Sequence, residues 1–246
     1  MIAAIVQARI GSTRLPAKVF SDIKGFPLIW HVVDRLKRSK YLDEIIIATT
    51  KYTKDNRIEK WSKENDVLCF RGSEKNVLDR YYHAAKKFKA DIIVRITADD
   101  PCKDYKIIDK VIELLLRTDS DYASNNRPPT YPEGMDVEVF KSTALHRTQL
   151  EASSTYDKEH VTPYMSEENG FTVSSQVNRE NLSFHRWTID EESDLIMMRE
   201  IYEHLFVEGE IFTMDNILDL LNKHPDITLL NSQVGRSQLY RDNKND

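Results

Sequence analysis

The chain has 246 residues, 40% of them hydrophobic and 30% charged, with a formal charge of -5. That length buries a sizeable core without staples, and the acidic balance argues against a general nucleic-acid binder, which carries a basic surplus. No apolar run approaches the roughly 18 residues of a membrane span, "MIAAIVQAR" is too short and too soon charged for a secretory signal, and the two cysteines, Cys69 and Cys102, stand outside any CxxC pair and read as reduced thiols; a cytoplasmic protein with no membrane or nucleic-acid partner is expected.

In chain order, IAAIVQA (2–8) is short, apolar and rich in β-branched residues, the pattern of a buried strand. PLIWHVVDRLKR (27–38) puts Leu28, Val32 and Leu36 on one helical face with Ile29 and Val33 beside them, and Pro27 suits a first turn. EIIIATT (44–50), VLCF (67–70), DIIVRI (91–96) and, more weakly, DYAS (121–124) read as further strands. Helices are predicted between them over 53–65, 76–88 and 105–118. This alternation predicts an α/β fold with a mainly parallel sheet flanked by helices. Ligands in such sheets bind at the carboxyl ends of the strands, near a switch in strand order.

After residue 124 the rhythm changes. NNRPPTYPEGMDVEVF (125–140) clusters Pro128, Pro129 and Pro132 before an alternating strand, 135–140, which would put Asp136 and Glu138 on one face. Helical stretches around 141–152 and 157–168, a strand over 171–177, and a return to the main sheet by HRWTID (185–190) are expected. A helix over 191–206 spaces Leu195, Met198, Ile201, Tyr202 and Leu205 along one face, and 214–224 is a last helix. One core domain over 1–230 results, with an insertion at about 125–185 and a polar tail over 231–246.

The concentrated signal is ARIGSTRLPAK, which places Arg9, Arg14 and Lys18 directly after the first strand with no acid among them. Gly11 permits tight backbone geometry, and free N–H groups with the Ser12 and Thr13 hydroxyls can donate to phosphate oxygens that the cations neutralise. An exposed, solvated loop fits the same composition. Neither GxxxxGK[ST] nor GxGxxG is present, which takes support from P-loop and dinucleotide chemistry. Asp99-Asp100 follows the fourth strand and Asp190 follows HRWTI. By themselves these acids also suit a turn before Pro101 and a helix cap.

Together, ARIGSTRLPAKVFSDIKGFPLIWHVVDR, FRGSEKNVLDRYYHAA, VRITADDP, TYPEGMDVEVF, EHVTPYM and RWTIDEESDL, spread over about residues 2–206, resemble the CMP-sugar cytidylyltransferases. The likeness is greatest to their spore-coat polysaccharide (SpsF-type) branch. The resemblance implies a Rossmann-like nucleotide-diphospho-sugar transferase fold, GT-A-like. It also implies transfer of CMP from CTP to a 2-keto-3-deoxy sugar acid, such as a nonulosonic acid or Kdo, for surface polysaccharide. Asp99 and Asp190 would match the Mg²⁺ ligands, with Asp100 at the neighbouring position and Asp194 in the first turn of its helix. Arg9, Arg14 and Lys18 would stabilise the leaving pyrophosphate. Gln7 and Ala8 would floor the base site, and Arg71 and Ser73 would read the cytosine edge, although Ser73 also suits a helix cap; Asn76 stands where many relatives have an acid. Arg80 and Arg95 would face the same edge or form ion pairs. Acceptor candidates are Asn125, Tyr131, Glu133, Asp136, Glu138, His160 and Arg186, while His185 and Trp187 more naturally pack. The 125–185 stretch would meet a second subunit in a homodimer. Three rival functions stand beside this one: transfer to a phosphorylated or phosphonate acceptor, a glycosyltransferase of GT-A type, and a non-catalytic homologue.

Overall fold

The computed structural model describes residues 1–167 and 169–236; residues 237–246 of the expected tail, and Glu168 at the end of the expected helix 157–168, lie outside the described residues. The strands are β1 (Ile2–Gln7), β2 (Asp22–Ile23), β3 (Phe26–Pro27), β4 (Glu44–Thr50), β5 (Leu68–Gly72), β6 (Ile92–Thr97), β7 (Tyr122–Ser124), β8 (Glu138–Lys141) and β9 (Val173–Ser175). β2 and β3 make a small hairpin. The other seven form one sheet in the order β5-β4-β1-β6-β8-β7-β9. β5, β4, β1 and β6 run parallel, β8 is antiparallel to β6 and β7, and β9 is parallel to β7. The fold is therefore the mainly parallel α/β arrangement that the strand–helix rhythm predicts, and it is Rossmann-like, as the resemblance implies.

β1 is an inner strand, paired with β4 and β6 along its edges and covered by an apolar layer on each face. Ala4 and Val6 point into one apolar layer, Ala3 and Ile5 into the other, and all four have no exposed surface. The first layer takes its helical side chains from α1 (Leu28–Leu36), α2 (Asn56–Glu64), α4 (Tyr105–Thr118), α8 (Glu192–Leu205) and α9 (Met214–Lys223). The second takes them from α3 (Val77–Phe88), α5 (Ser142–Glu151) and the short α7 (Pro163–Ser166), with α6 (Thr155–His160) beside it. Leu28, Ile29, Val32 and Leu36 of α1 are fully buried, each worth about 1.5–3 kcal/mol of transfer free energy. Among the described residues no helix is long and apolar enough to cross a membrane.

Three expectations change. The helix expected over 157–168 is broken into α6 and α7, because Pro163 cannot supply an N–H inside a helix and Val161 turns with φ 73°. The strand expected over 135–140 begins only at Glu138. The Asn125 side chain takes the preceding backbone groups, donating to the Met135 carbonyl at 2.9 Å and accepting from the Val137 N–H at 2.7 Å. Asp136 therefore lies ahead of the strand and shares no strand face with Glu138. HRWTID does not return to the sheet. Among the described residues it makes one isolated bridge, with Glu133, whose N–H donates to the His185 carbonyl at 3.0 Å and whose carbonyl accepts from Trp187 N–H at 2.7 Å. Trp187, fully buried, anchors this segment in the core, and the Ile189 N–H donates to the Asp99 carbonyl at 2.9 Å.

Gly134 makes that pairing possible. Its φ is +100°, and a Cβ there would lie 2.7 Å from the Trp187 backbone carbon and oxygen. Gly134→Ala should lower stability by about 1–3 kcal/mol, read as a lower urea midpoint at unchanged slope; an unmoved midpoint would show that the backbone yields here freely.

Candidate active site

The loop after β1 is built by local closure. The Ile10 carbonyl accepts from the N–H groups of Ser12 (2.9 Å) and Ala17 (3.0 Å), and the Ile10 N–H is held by the buried Asp55 carboxylate at 2.8 Å. Among the described residues, the backbone N–H groups of Gly11, Thr13 and Arg14 donate to nothing. The loop thus presents free donors and the exposed cations Arg9 and Arg14 at the carboxyl edge of the parallel strands, a setting suited to phosphate.

The chain then enters a 3₁₀ turn, Lys18–Phe20, which turns Lys18 inward. Its ammonium donates to Asp99 Oδ2 at 2.8 Å, to the Ile189 carbonyl at 2.7 Å and to Asp190 Oδ1 at 2.9 Å. Asp99 arrives from the end of β6, continuing the ladder through Ala98 N–H to the Gln7 carbonyl at 3.2 Å. Asp190 arrives from the segment before α8. Burial works against the charge on Lys18, but Asp99 and Asp190 outweigh it and raise the pKa above the ordinary lysine value. Burial likewise opposes the charge of Asp99, and Lys18 outweighs it and holds that carboxyl below the ordinary value.

Asp190 is itself clamped by Arg14 (3.1 Å) and Arg186 (3.2 Å). Arg186 is buried and also reaches Glu133 at 2.7 Å and Asp194 at 3.0 Å, while Asp194 accepts from the N–H groups of Asp190 and Glu191 at the start of α8. The Arg186 guanidinium is thus spent on three carboxylates and positions Asp190. Asp100 departs from its neighbour: Lys103 at 2.9 Å and the Thr97 hydroxyl at 2.6 Å consume it in the interior.

A cleft of about 760 Å³ runs along the cationic loop, bordered by Gln7, Ala8, Arg9, Ser12, Arg14 and Lys18 and closed at one end by Asp99 and Asp190. Three expected nucleotide contacts do not line it. The Arg71 guanidinium is bound to the Thr50 and Tyr52 carbonyls at 3.0 and 2.9 Å and to Glu59 at 2.8 Å, so it ties β5 to the chain after β4. The Ser73 hydroxyl accepts from the Asn76 N–H at 3.1 Å, and Asn76 caps α3. Gly11 lies against Lys54, whose Nζ would be 2.5 Å from a Cβ there. In their place Lys75 and Arg80 border the cleft. Arg80 is 3% exposed, bonds only the Ser73 carbonyl at 2.8 Å, and forms no ion pair among the described residues. Burial, with the nearby charge of Arg9, pushes its pKa down. Lys75 and the anchoring Asp55 carry no local sequence signal beyond their charge.

A second chamber of about 360 Å³ adjoins the first through Gln7, Thr97, Asp99, His160 and Asp190. Glu138 lies along it, paired with Arg95 and hydrogen-bonded by Tyr122 (2.7 Å) and Thr162 (2.6 Å), so Arg95 is a structural ion-pair partner. Tyr131 is in the apolar core, and Asn125 is the backbone clasp described for β8. His160 is exposed, and its ring lies tilted against Tyr156 at 4.4 Å between centroids. His185 and Trp187 pack against each other at 5.3 Å.

The sequence model of a cytidylyltransferase family matches residues 3–232. An uncharacterised protein of Methanocaldococcus jannaschii is 39% identical over 98% of both chains. The spore coat polysaccharide biosynthesis protein SpsF of Bacillus subtilis is 29% identical over 92% of this chain and 95% of its own. Among solved structures, a cytidylyltransferase from Leptospira borgpetersenii superposes with a TM-score of 0.89 at 30% identity, covering 96% of this chain and 99% of its own. A CMP:2-keto-3-deoxy-manno-octonic acid synthetase complexed with CTP superposes with a TM-score of 0.65 at 18% identity, covering 82% and 98%.

Replacing Lys18 by Met leaves two carboxylates facing each other without their cation. Stability should fall by about 1–3 kcal/mol at pH 7. Because Lys18 holds the folded-state pKa of Asp99 below 3.8, the wild-type advantage is complete above that value and is lost as pH falls through the depressed pKa. Urea melts of both proteins at pH 7 and at about pH 3 check this; an equal gap at both would refute the electrostatic origin.

Proposed function

This chain belongs to the cytidylyltransferase family, and on that premise we propose that it transfers CMP from CTP to a hydroxyl of a 2-keto-3-deoxy sugar acid, releasing pyrophosphate. The observation that carries the reading is the meeting of Lys18 with Asp99 and Asp190 at the end of a cleft lined by Arg9 and Arg14. The acceptor oxygen forms a bond to the α-phosphorus, the bond from that phosphorus to the bridging oxygen breaks with its electron pair going to pyrophosphate, and the hydroxyl proton passes to water. Arg9, Arg14 and the free N–H groups of the loop hold the β- and γ-phosphates. Lys18 offsets charge as it builds on the leaving group. Gln7 and Ala8 floor the nucleoside, and Arg80, in place of Arg71, is the buried donor available to the pyrimidine edge.

The donor set fits a divalent cation. Asp99 and Asp190 each place one carboxylate oxygen within 2.9 Å of the Lys18 ammonium; Mg²⁺, which takes one or two carboxylates together with phosphate oxygens and water, would be held by the same two oxygens with Lys18 turned to the phosphates. Bound by Asp99 and Asp190, Mg²⁺ would neutralise phosphate charge and lower the pKa of the attacking hydroxyl. Asp100, consumed by Lys103 and Thr97, is unavailable to make an adjacent metal-binding pair, which argues against the glycosyltransferase alternative. The 125–185 stretch exposes Leu150, Tyr156 and Phe184, apolar surface suited to a second copy of the chain.

A thermal-shift panel of the four nucleoside triphosphates with Mg²⁺ tests the nucleotide. CTP at 100 times its dissociation constant should add about 2.7 kcal/mol of stability, and an equal response to all four would defeat the assignment. Lys18→Ala should reduce pyrophosphate release at saturating CTP by about 10²-fold or more; unchanged turnover would remove Lys18 from the mechanism.

A further inference from the structure

An ammonium has three N–H donors, and Lys18 has committed all three. Asp99 Oδ2, Asp190 Oδ1 and the Ile189 carbonyl accept them between 2.7 and 2.9 Å. Lys18 borders the cleft, yet in this arrangement it holds back no donor for a phosphate. Its two carboxylate partners are also the oxygens that would hold Mg²⁺. A divalent ion on that pair of oxygens would stand next to the ammonium in a place where the lysine side chain is only 11% exposed. Repulsion between the two is poorly screened there. The two aspartates therefore serve one of these cations at a time.

The local charge is already balanced. Asp190 meets Lys18, Arg14 at 3.1 Å and Arg186 at 3.2 Å, and Asp99 meets Lys18. Glu133 and Asp194 match Arg186 from behind. Lys18 and Arg14 then cancel Asp99 and Asp190, and a divalent ion arriving alone finds no net negative charge to draw it in. Lys18 is the cation able to yield its place to one. Its backbone is fixed in the 3₁₀ turn, where the Ser21 N–H donates to the Lys18 carbonyl at 2.9 Å. The four-carbon stem beyond that backbone rotates, so the ammonium can turn to the cleft while the turn stays as it is.

Given Asp99 and Asp190 as the metal ligands of the proposed function, on which this inference rests, we propose that Lys18 is a resident counter-ion that closes the metal site until a triphosphate draws it away. Phosphate oxygens compete for the ammonium, the two carboxylates lose their cation, and the site accepts a divalent ion together with the nucleotide and not before it. One side chain thus couples the two ligands, and by linkage each tightens the other.

The test is binding of Mn²⁺ without nucleotide, read from the paramagnetic resonance of the unbound ion, on the full chain and its Lys18→Met and Lys18→Gln variants. Both variants should bind Mn²⁺ at least about 10-fold more tightly than wild type, within the usual range of coupling between sites. Asp190→Asn added to Lys18→Met should abolish the gain, which locates the ion. Urea melts give a second reading. Mn²⁺ should restore most of the midpoint lost in Lys18→Met, because a divalent ion replaces the missing ammonium, and the same Mn²⁺ concentration should leave wild type unmoved. Wild type that binds Mn²⁺ as tightly as the variants, or a Lys18→Met midpoint indifferent to Mn²⁺, overturns the exchange; selective stabilisation of the same wild-type chain by CTP with Mg²⁺ would leave the nucleotide reading standing. Variants that gain Mn²⁺ through Asp190, in a chain that no triphosphate stabilises, would keep Lys18 as the block on the metal site and remove the nucleotide reading instead.

Discussion

Lys18 stands 81 residues from Asp99 and 172 from Asp190, yet its ammonium donates to both carboxylates and to the Ile189 carbonyl between 2.7 and 2.9 Å. Its side chain is only 11% exposed. Removing an ammonium from water to that degree costs several kcal/mol unless opposite charge and acceptors replace the lost hydration. Here three acceptors do so, one from the end of β6 and two from the lead into α8. The loop after β1, the end of β6 and the lead into α8 must therefore be placed together before the lysine can be buried. Those three segments form one side of the cleft, and the start of α3 and α6 also border it.

Arg186 plays the supporting role beneath. Buried among Glu133, Asp190 and Asp194, it fixes the Asp190 carboxylate from behind while Lys18 and Arg14 meet it from the front. Such a cluster adds little net stability, because each charge gives up hydration to enter it. What it supplies is orientation. Asp194 accepts both from Arg186 and from the backbone N–H groups that open α8, so the helix start and the aspartate are set by one side chain.

The strand–helix rhythm of the first 124 residues was legible because each element carries its own period: two for β1, whose alternate residues enter different layers, and near 3.6 for α1 and α4. The meeting of Lys18, Asp99 and Asp190 was legible only through the resemblance, since nothing local in any of the three segments names the other two. Arg71 shows where local reading ends. It occupies the expected loop, but two carbonyl groups and Glu59 draw its guanidinium away from the cleft. Arg80, one helical turn into α3, is turned inward by the Ser73 carbonyl. The difference between the two arginines is set by which backbone oxygens lie within reach, and that is a tertiary fact. The same holds for 185–190, whose alternation suits a strand but which, among the described residues, bridges Glu133 alone.

The position of β8 bears on how the molecule comes into being. It is threaded antiparallel between β6 and β7, so β7, though earlier in the chain, has no place in the sheet until β8 has been made. Asp190 follows later still. A ribosome emitting this chain from its first residue releases a four-stranded parallel half with a lone buried-to-be ammonium and only one of its two anions. Closing contacts over such spans is entropically slow. During that interval the nascent half carries an open β6 edge, and Lys18 has Asp99 but not yet Asp190.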